Sequence, residues 1–279
     1  MMTRENRIKG ALYGFAIGDA MGATTEFMSE SEIARVHGKV TDIIGGGWLG
    51  IKAGRITDDT QMTLCVCEAI KRFPRNTKLM LNRCCENFTT WYLSKPIDIG
   101  NACRRVIAEC KTTNNHEIWI EVAKNPDSLG NGSLMRTMPI VLAGLGEETA
   151  IQQGQLTHNN NTCNITILLY YKVLSNILEK GVSIFEPEEK LHEPTGHVVH
   201  TFDNSMYWLL HTDNFEDAII KAVNHGGDAD TIAAVTGSLA GALYGYDAIP
   251  KRWIDQLDPV IKIMLDEYAE FFTKKVCTK

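Results

Sequence analysis

The sequence has no run approaching the roughly 18 apolar residues that a membrane-spanning helix needs, so no membrane partner is expected. No Pro/Gly/Ser-rich stretch or sustained charge block divides the 279 residues, and a single domain over 1–279 with one large core is expected. Excess basic charge is missing too. The 28 Lys and Arg against 34 Asp and Glu leave a formal charge of −6, which argues against general nucleic-acid binding. Eight cysteines are present but no C-x-x-C pair: Cys65 and Cys67 are separated by one residue, Cys84 and Cys85 are adjacent, and Cys103, Cys110, Cys163 and Cys277 stand alone. That spacing fits small reduced core residues in a cytoplasmic protein better than zinc ligands or disulfides. Nor is there a Walker-type glycine loop, a dinucleotide-binding fingerprint or a G-x-S-x-G elbow.

What is present is helical spacing almost throughout. Met62, Cys65, Val66, Ala69, Ile70 and Phe73 recur at three and four before Pro74, predicting a helix over about 58–73. Asn76 looks like the cap of a helix carrying Met80, Cys84, Phe88, Trp91 and Tyr92. Further helices are expected at about 6–22, 101–111, 132–144, 162–180, 214–224, 229–245 and 258–275. The best strand candidates are 40–44 and 197–201, and long loops are expected at about 38–56, 112–131 and 181–200. The expected fold class is all-α, a compact orthogonal helical domain.

Glycines stand at i+4 intervals in two of these segments, Gly10, Gly14, Gly18 and Gly22 in one and Gly237, Gly241 and Gly245 in the other. Each costs about 1 kcal/mol relative to Ala inside a helix. A glycine ridge lets two helix axes approach closely, so these helices are expected to be central and tightly packed, on each other or on neighbours.

Two acidic clusters carry the chemistry. Thr57, Asp58, Asp59 and Thr60 open the helix at 58, and Asp228, Asp230 and Thr231 open the helix at 229, with no Lys or Arg between His225 and Lys251. Capping and helix-dipole effects account for either cluster alone. If the two helix ends meet, four carboxylates and two hydroxyls converge, and their repulsion requires cations. Hard oxygen donors without nearby Cys or His select Mg²⁺ or Mn²⁺, and four carboxylates suffice for two ions.

Seven segments taken in order, GALYGFAIGDAMGATTEF, ITDDTQM, DIGNACRR, GNGSLMR, LTHNN, TGHVVHTFDNSMYWLL and FEDAIIKAVNHGGDADTIAAVTGSLAGALYG, resemble the ADP-ribosylglycohydrolase family over nearly the whole chain. The resemblance implies an all-α enzyme with a two-magnesium centre, cleaving the N- or O-glycosidic bond between ADP-ribose and an acceptor. It implies metal ligation by Thr57, Asp58, Asp59, Asp228, Asp230 and Thr231, with Asp228 also catalytic. Glu26 matches a catalytic glutamate on a mobile loop; read without the family it is a solvated loop carboxylate. Asn131, Gly132 and Ser133 match the loop that contacts phosphates and ribose, His158 a histidine near the pyrophosphate or ribose, and His197 the place of a tyrosine walling the adenosine. Asp98, in DIGN, is a candidate for meeting an acceptor guanidinium, or else a cap for the helix starting near Asn101. Ala229 departs from the family's GGDTDT, and THNNNT lacks a second histidine. The implied substrate is an ADP-ribosylated protein, arginine-linked by preference, or a small ADP-ribosyl compound. The rival readings are an ADP-ribose-binding or immunity-type protein acting without turnover, and a metal-dependent phosphohydrolase.

Overall fold

The computed structural model describes residues 2–181 and 191–276, and among them there is helix and no strand. Fourteen α-helices follow one another among these residues. They are α1 (Arg4–Gly22), α2 (Glu30–His37), α3 (Asp58–Arg72), α4 (Thr77–Leu93), α5 (Asn101–Cys110), α6 (His116–Val122) and α7 (Met138–Leu142). Then come α8 (Glu147–Gln155), α9 (Asn161–Lys180), α10 (Val198–Leu210), α11 (Phe215–His225), α12 (Ala229–Tyr244), α13 (Lys251–Gln256) and α14 (Pro259–Val276). None of these is long and apolar enough to cross a membrane.

The chain forms two compact units, one from 1–57, 173–196 and 200–279, the other from 58–172 and 197–199. In the first, α1 and α12 are the central pair. A Cβ on Gly10 would stand 2.0 Å from the Gly241 carbonyl oxygen, one on Gly14 2.1 Å from that of Gly237, and one on Gly18 2.0 Å from that of Ala233. The two backbones therefore touch directly, which is the close approach the glycine spacing predicts. Both helices are buried along most of their length, and Phe215, Trp253 and Phe272 from α11, α13 and α14 are fully buried in the same unit. In the second unit α3 packs on α4 and α4 on α5, burying Val66, Ile70, Cys84, Phe88, Val106 and Trp119. The described cysteines are free thiols, and all but half-buried Cys65 are buried; Cys277 lies outside the described residues. Burial pushes the thiols up, Cys65 to about 12.

Most expected helices stand within one or two residues of their predicted ends, and Asn76 caps α4 by accepting from the Leu79 N–H at 3.0 Å. Four expectations need correction. The segment 40–44 is not a strand. Asn224 donates to the Val40 carbonyl at 2.7 Å and accepts from the Val40 N–H at 2.9 Å, so one side-chain amide satisfies the groups a neighbouring strand would have paired. The segment 197–201 is not a strand either: His197 makes one isolated bridge to Gly130, and α10 begins at Val198. Its buried residues Val198, Phe202, Met206 and Leu209 keep helical spacing, which outweighs four β-branched and polar residues at its start. The helix expected over 132–144 is broken into a 3₁₀ turn at Asn131–Ser133 and the short α7, whose Pro139 lacks the N–H needed to continue a helix from the preceding turn. The loop expected at 112–131 contains α6, capped by Asn115, which at seven residues is too short to show a period.

Candidate active site

In the first unit, α1 ends at Gly22 and a tight turn, with the Thr25 and Glu26 N–H groups donating to the Gly22 carbonyl, leads to Glu26, which is 5% exposed. Carboxylate oxygens of Glu26, Asp228 and Asp230 all lie within 4.8 Å of one another. The backbone makes this approach possible. Phe27 donates to the Gly227 carbonyl at 2.6 Å, Gly227 to the Met28 carbonyl at 2.8 Å, and Asp228 to the Pro194 carbonyl at 2.8 Å. Gly226 and Gly227 hold φ of +78° and +61°, and a Cβ on either would stand 2.1 Å from the Met28 oxygen or 1.8 Å from the Pro194 oxygen. Only glycine fits there.

The Asp228 side chain makes no capping hydrogen bond to α12, although the residue holds the N-cap position. Asp230 accepts from the neighbouring Thr231 N–H at 2.9 Å, and the Thr231 hydroxyl lies 3.5 Å from Asp228 Oδ1. Capping alone therefore does not explain Asp228. Glu26 is likewise no solvated loop carboxylate: the Trp48 indole N–H donates to its Oε2 at 2.6 Å. Trp48 follows Gly45, Gly46 and Gly47, all at positive φ, and Phe27, itself at φ 63°, tilts its ring against Trp48 with centroids 5.3 Å apart. Asp19, fully buried on α1, accepts from the Thr57 N–H at 3.0 and 3.2 Å and so fixes the residue before α3.

In the second unit, Asp58 and Asp59 are buried in the first turn of α3. The Gly100 N–H donates to Asp58 Oδ2 at 3.2 Å, and Asp98 shares a side-chain hydrogen bond with Asp58. Burial raises the Asp98 carboxyl above the usual range, against the lowering effects of the Ile99 N–H, Asp58 and Arg104. Asp98 does not cap α5; the N-cap is Gly100, with no side-chain bond. The loop carrying Asn131, Gly132 and Ser133 rests on His158, whose ring lies 3.2 Å from a Cβ built on Gly130 and 2.9 Å from one on Gly132. His197 pairs with Gly130 across the isolated bridge, so His158 and His197 both stand beside the loop carrying Asn131, Gly132 and Ser133.

His158 is 2% exposed, bonded through Nδ1 to the Thr157 hydroxyl at 2.8 Å, and its pKa is lowered to about 3 by burial and then by Arg136 and Arg105. The ring is neutral at ordinary pH. Arg136 is the frame of this loop. Fully buried, it donates to the Gly132 carbonyl, to Gln153 Oε1 at 2.7 Å and to the Thr157 hydroxyl at 2.7 Å, with Phe88 5.0 Å from its guanidinium. Asp19, Trp48 and Arg136 are the site residues that sequence reasoning passed over. Asp19 and Arg136 lie inside GDAMG and GNGSLMR, where an ionisable residue amid apolar neighbours signals a buried polar role.

The profile of the ADP-ribosylglycohydrolase family matches residues 1–186 and 172–277. The chain belongs to that family. It is 35% identical over 273 residues to the ADP-ribosyl-[dinitrogen reductase] glycohydrolase of Rhodospirillum rubrum, covering 91% of this chain and 90% of the relative. It is 31% identical over 289 residues to the ADP-ribosylarginine hydrolase Tri1 of Serratia proteamaculans, covering 90% of this chain and 75% of that protein. Among solved structures, an ADP-ribosylglycohydrolase-related protein complex superposes with a TM-score of 0.77 at 27% identity, covering 99% of this chain and 100% of the other. The protein is thus a hydrolase of glycosidic bonds. Ala229, where this glycohydrolase departs from the motif of its family, is fully buried with its carbonyl carbon 2.6 Å from a Cβ built on Gly22. The departure therefore sits on the α1 contact and leaves the carboxylates of the cluster intact.

Proposed function

We propose that this hydrolase releases ADP-ribose from arginine side chains of proteins in a reaction that depends on two Mg²⁺ ions, with Mn²⁺ as substitute. The observation that carries the reading is the cluster of Glu26, Asp228 and Asp230, three carboxylates within 4.8 Å with Glu26 and Asp230 buried. Such a set repels itself strongly, and its donors are all hard oxygens, which fits Mg²⁺. Asp228, Asp230 and Thr231 would hold metal from α12, and Thr57, Asp58 and Asp59 from the start of α3, on the strength of the family resemblance. Bound Mg²⁺ supplies charge neutralisation and orients hydroxyl and water oxygens.

The chain's own residues do the rest. Glu26, fixed by Trp48, is suited to take a proton from the attacking water, whose oxygen bonds to C1″, and to return it to the departing acceptor nitrogen as the glycosidic bond breaks through an oxocarbenium-like state. Backbone N–H groups of Asn131, Gly132 and Ser133 are suited to the phosphates and ribose, with neutral His158 beneath them and His197 beside Gly130. Asp98 would meet the guanidinium, a planar donor that a carboxylate accepts bidentately. The names of the Rhodospirillum and Serratia relatives support arginine as acceptor. The seven described cysteines are free thiols, which supports a cytoplasmic setting.

The test is a panel of arginine-, serine- and small-molecule-linked ADP-ribosyl substrates, incubated with Mg²⁺ or with EDTA and read by free ADP-ribose. Release from arginine alone or fastest, and only with metal, is the expected result. Serine-linked turnover with none on arginine overturns the acceptor, and binding without release overturns the hydrolytic reading of the site. The Asp98→Ala variant should lose arginine-linked activity far more than activity on the other substrates.

A further inference from the structure

A cavity of about 630 Å³ in the first unit, beside the carboxylate cluster, is lined by Phe27, Met28, Glu30, Glu193, Pro194 and His225 among others. Its size is that of a small-ligand site. Glu32 adds a third carboxylate, and among the described residues that line it there is no Lys or Arg. His225, at the last position of α11, is 8% exposed, and its Nδ1 has no hydrogen-bond partner among the described residues. Burial lowers the pKa of this ring, although Glu30 and Glu193 are near enough to pull it the other way. A neutral imidazole with an unpaired nitrogen, set among carboxylates, offers acceptors to a cation with several N–H donors. A buried polar group left unpaired is costly, so this nitrogen is a site where a ligand gains what the protein alone leaves unused.

The cavity's walls are also the supports of the carboxylate cluster. Phe27 follows Glu26 and Gly227 precedes Asp228 in the chain, and the Phe27–Gly227, Gly227–Met28 and Asp228–Pro194 hydrogen bonds tie wall and cluster together. Phe27 is 67% exposed, and with Trp48, 54% exposed, it presents an aromatic edge beside Glu26. A polypeptide whose arginine–ribose bond is hydrolysed at the cluster continues away from it at about 3.3–3.6 Å per residue, and the cavity wall begins one residue from Glu26 and from Asp228, within the span of a few acceptor positions.

Resting on the arginine-acceptor reading above, we infer that this cavity is the acceptor-side subsite of the enzyme, taking a second basic side chain, guanidinium or ammonium, that flanks the modified arginine. Glu30 and Glu193 supply the charge, His225 an acceptor, and Phe27 a face for the alkyl stem or guanidinium plane. The protein thereby prefers modified arginines in basic stretches.

The experiment compares two ADP-ribosyl-arginine peptides in Mg²⁺, one with arginines at the flanking positions and one with glycines, on the unmodified protein, on Glu30→Lys/Glu193→Lys, and on Glu117→Lys/Glu121→Lys. The last pair makes the same change of net charge at two exposed positions of α6. The ratio of KM for the glycine-flanked to the arginine-flanked peptide should be well above one for the unmodified protein, fall about tenfold in Glu30→Lys/Glu193→Lys, and stay put in the α6 variant. A ratio near one in the unmodified protein, or an equal fall in both variants, overturns the subsite. Fluorescence anisotropy of an unmodified fluorescein-labelled Gly-Arg-Gly-Arg-Gly peptide reads the cavity without turnover. Binding lost only in Glu30→Lys/Glu193→Lys supports the cavity even if no arginine-linked substrate is hydrolysed, an outcome that would sink the acceptor reading instead. Binding unchanged in that variant counts against the cavity whatever the turnover.

Discussion

Glu26 shows how much one side chain's surroundings alter its chemistry. In sequence it follows two threonines in a turn; in space it is buried, bonded to Trp48 and grouped with two aspartates. If it handles protons, Glu26→Gln should cut turnover on the order of 10²-fold while metal binding, read by calorimetry, holds. Loss of metal affinity in step with turnover would make it a ligand. Trp48→Phe keeps the ring against Phe27 and removes the 2.6 Å hydrogen bond. A fall of about tenfold in kcat with KM little changed is expected, because a charge-assisted bond orients a group used in the transition state more than one used in binding. A rise in KM at constant kcat would place Trp48 in substrate binding. Nothing in the neighbouring sequence announces this pair, since Glu26 and Trp48 are separated by α2 and a glycine-rich loop.

At the scale of elements, the α1–α12 contact positions Glu26 at the end of one helix and Asp228 and Asp230 at the start of the other. Its cost is visible in the glycines, each weakening its own helix by about 1 kcal/mol. Gly14→Ala would put a methyl 2.1 Å from the Gly237 carbonyl oxygen, backbone against backbone, where no rotamer gives relief. The expected loss is about 3 kcal/mol in urea unfolding. Gly100→Ala, with nothing within 4 Å of its Cβ, should cost under about 1 kcal/mol. Equal effects would mean that the close approach is not what the glycines serve. The i+4 spacing shows that each helix is closely packed, and the fold shows that the partner of each is the other. The start of α10 is not legible in the local sequence, because β-branched residues at 198 and 199 suggest a strand until the buried positions through Leu209 are weighed together.

For the whole molecule, stability should follow both metal and protons. Mg²⁺ at a hundredfold excess over its Kd should stabilise the fold by about 2.7 kcal/mol relative to EDTA, and an identical melting temperature in both would count heavily against the metal site. His158 supplies the proton linkage. Its folded pKa of about 3 lies below the roughly 6.5 of an unfolded histidine, so below about pH 6.5 the unfolded chain takes up a proton that the folded chain refuses. The His158 contribution is therefore complete above about pH 6.5 and declines as pH falls towards 3. In His158→Asn the loss of stability between pH 6.5 and 4.5 should be shallower than in the unmodified protein. A parallel slope would show that His158 is solvated and titrates normally.

The all-helical class, most helix ends, two close-packed glycine-bearing helices and, through ordered motifs, the ADP-ribosylglycohydrolase family are all legible in the amino-acid order, whereas the pairing of α1 with α12 is seen only in the fold. These are written locally, because apolar period, caps and glycine spacing each act within a few turns of one helix. Folding alone brings Glu26 to Asp228 and Asp230, sets Trp48 against it, anchors the Gly132 loop over His158 through Arg136, and opens a carboxylate-lined cavity beside Phe27. Each of these joins residues by burial and by hydrogen bonds across long stretches of chain, and burial depends on what packs from elsewhere, which no periodicity within one segment records.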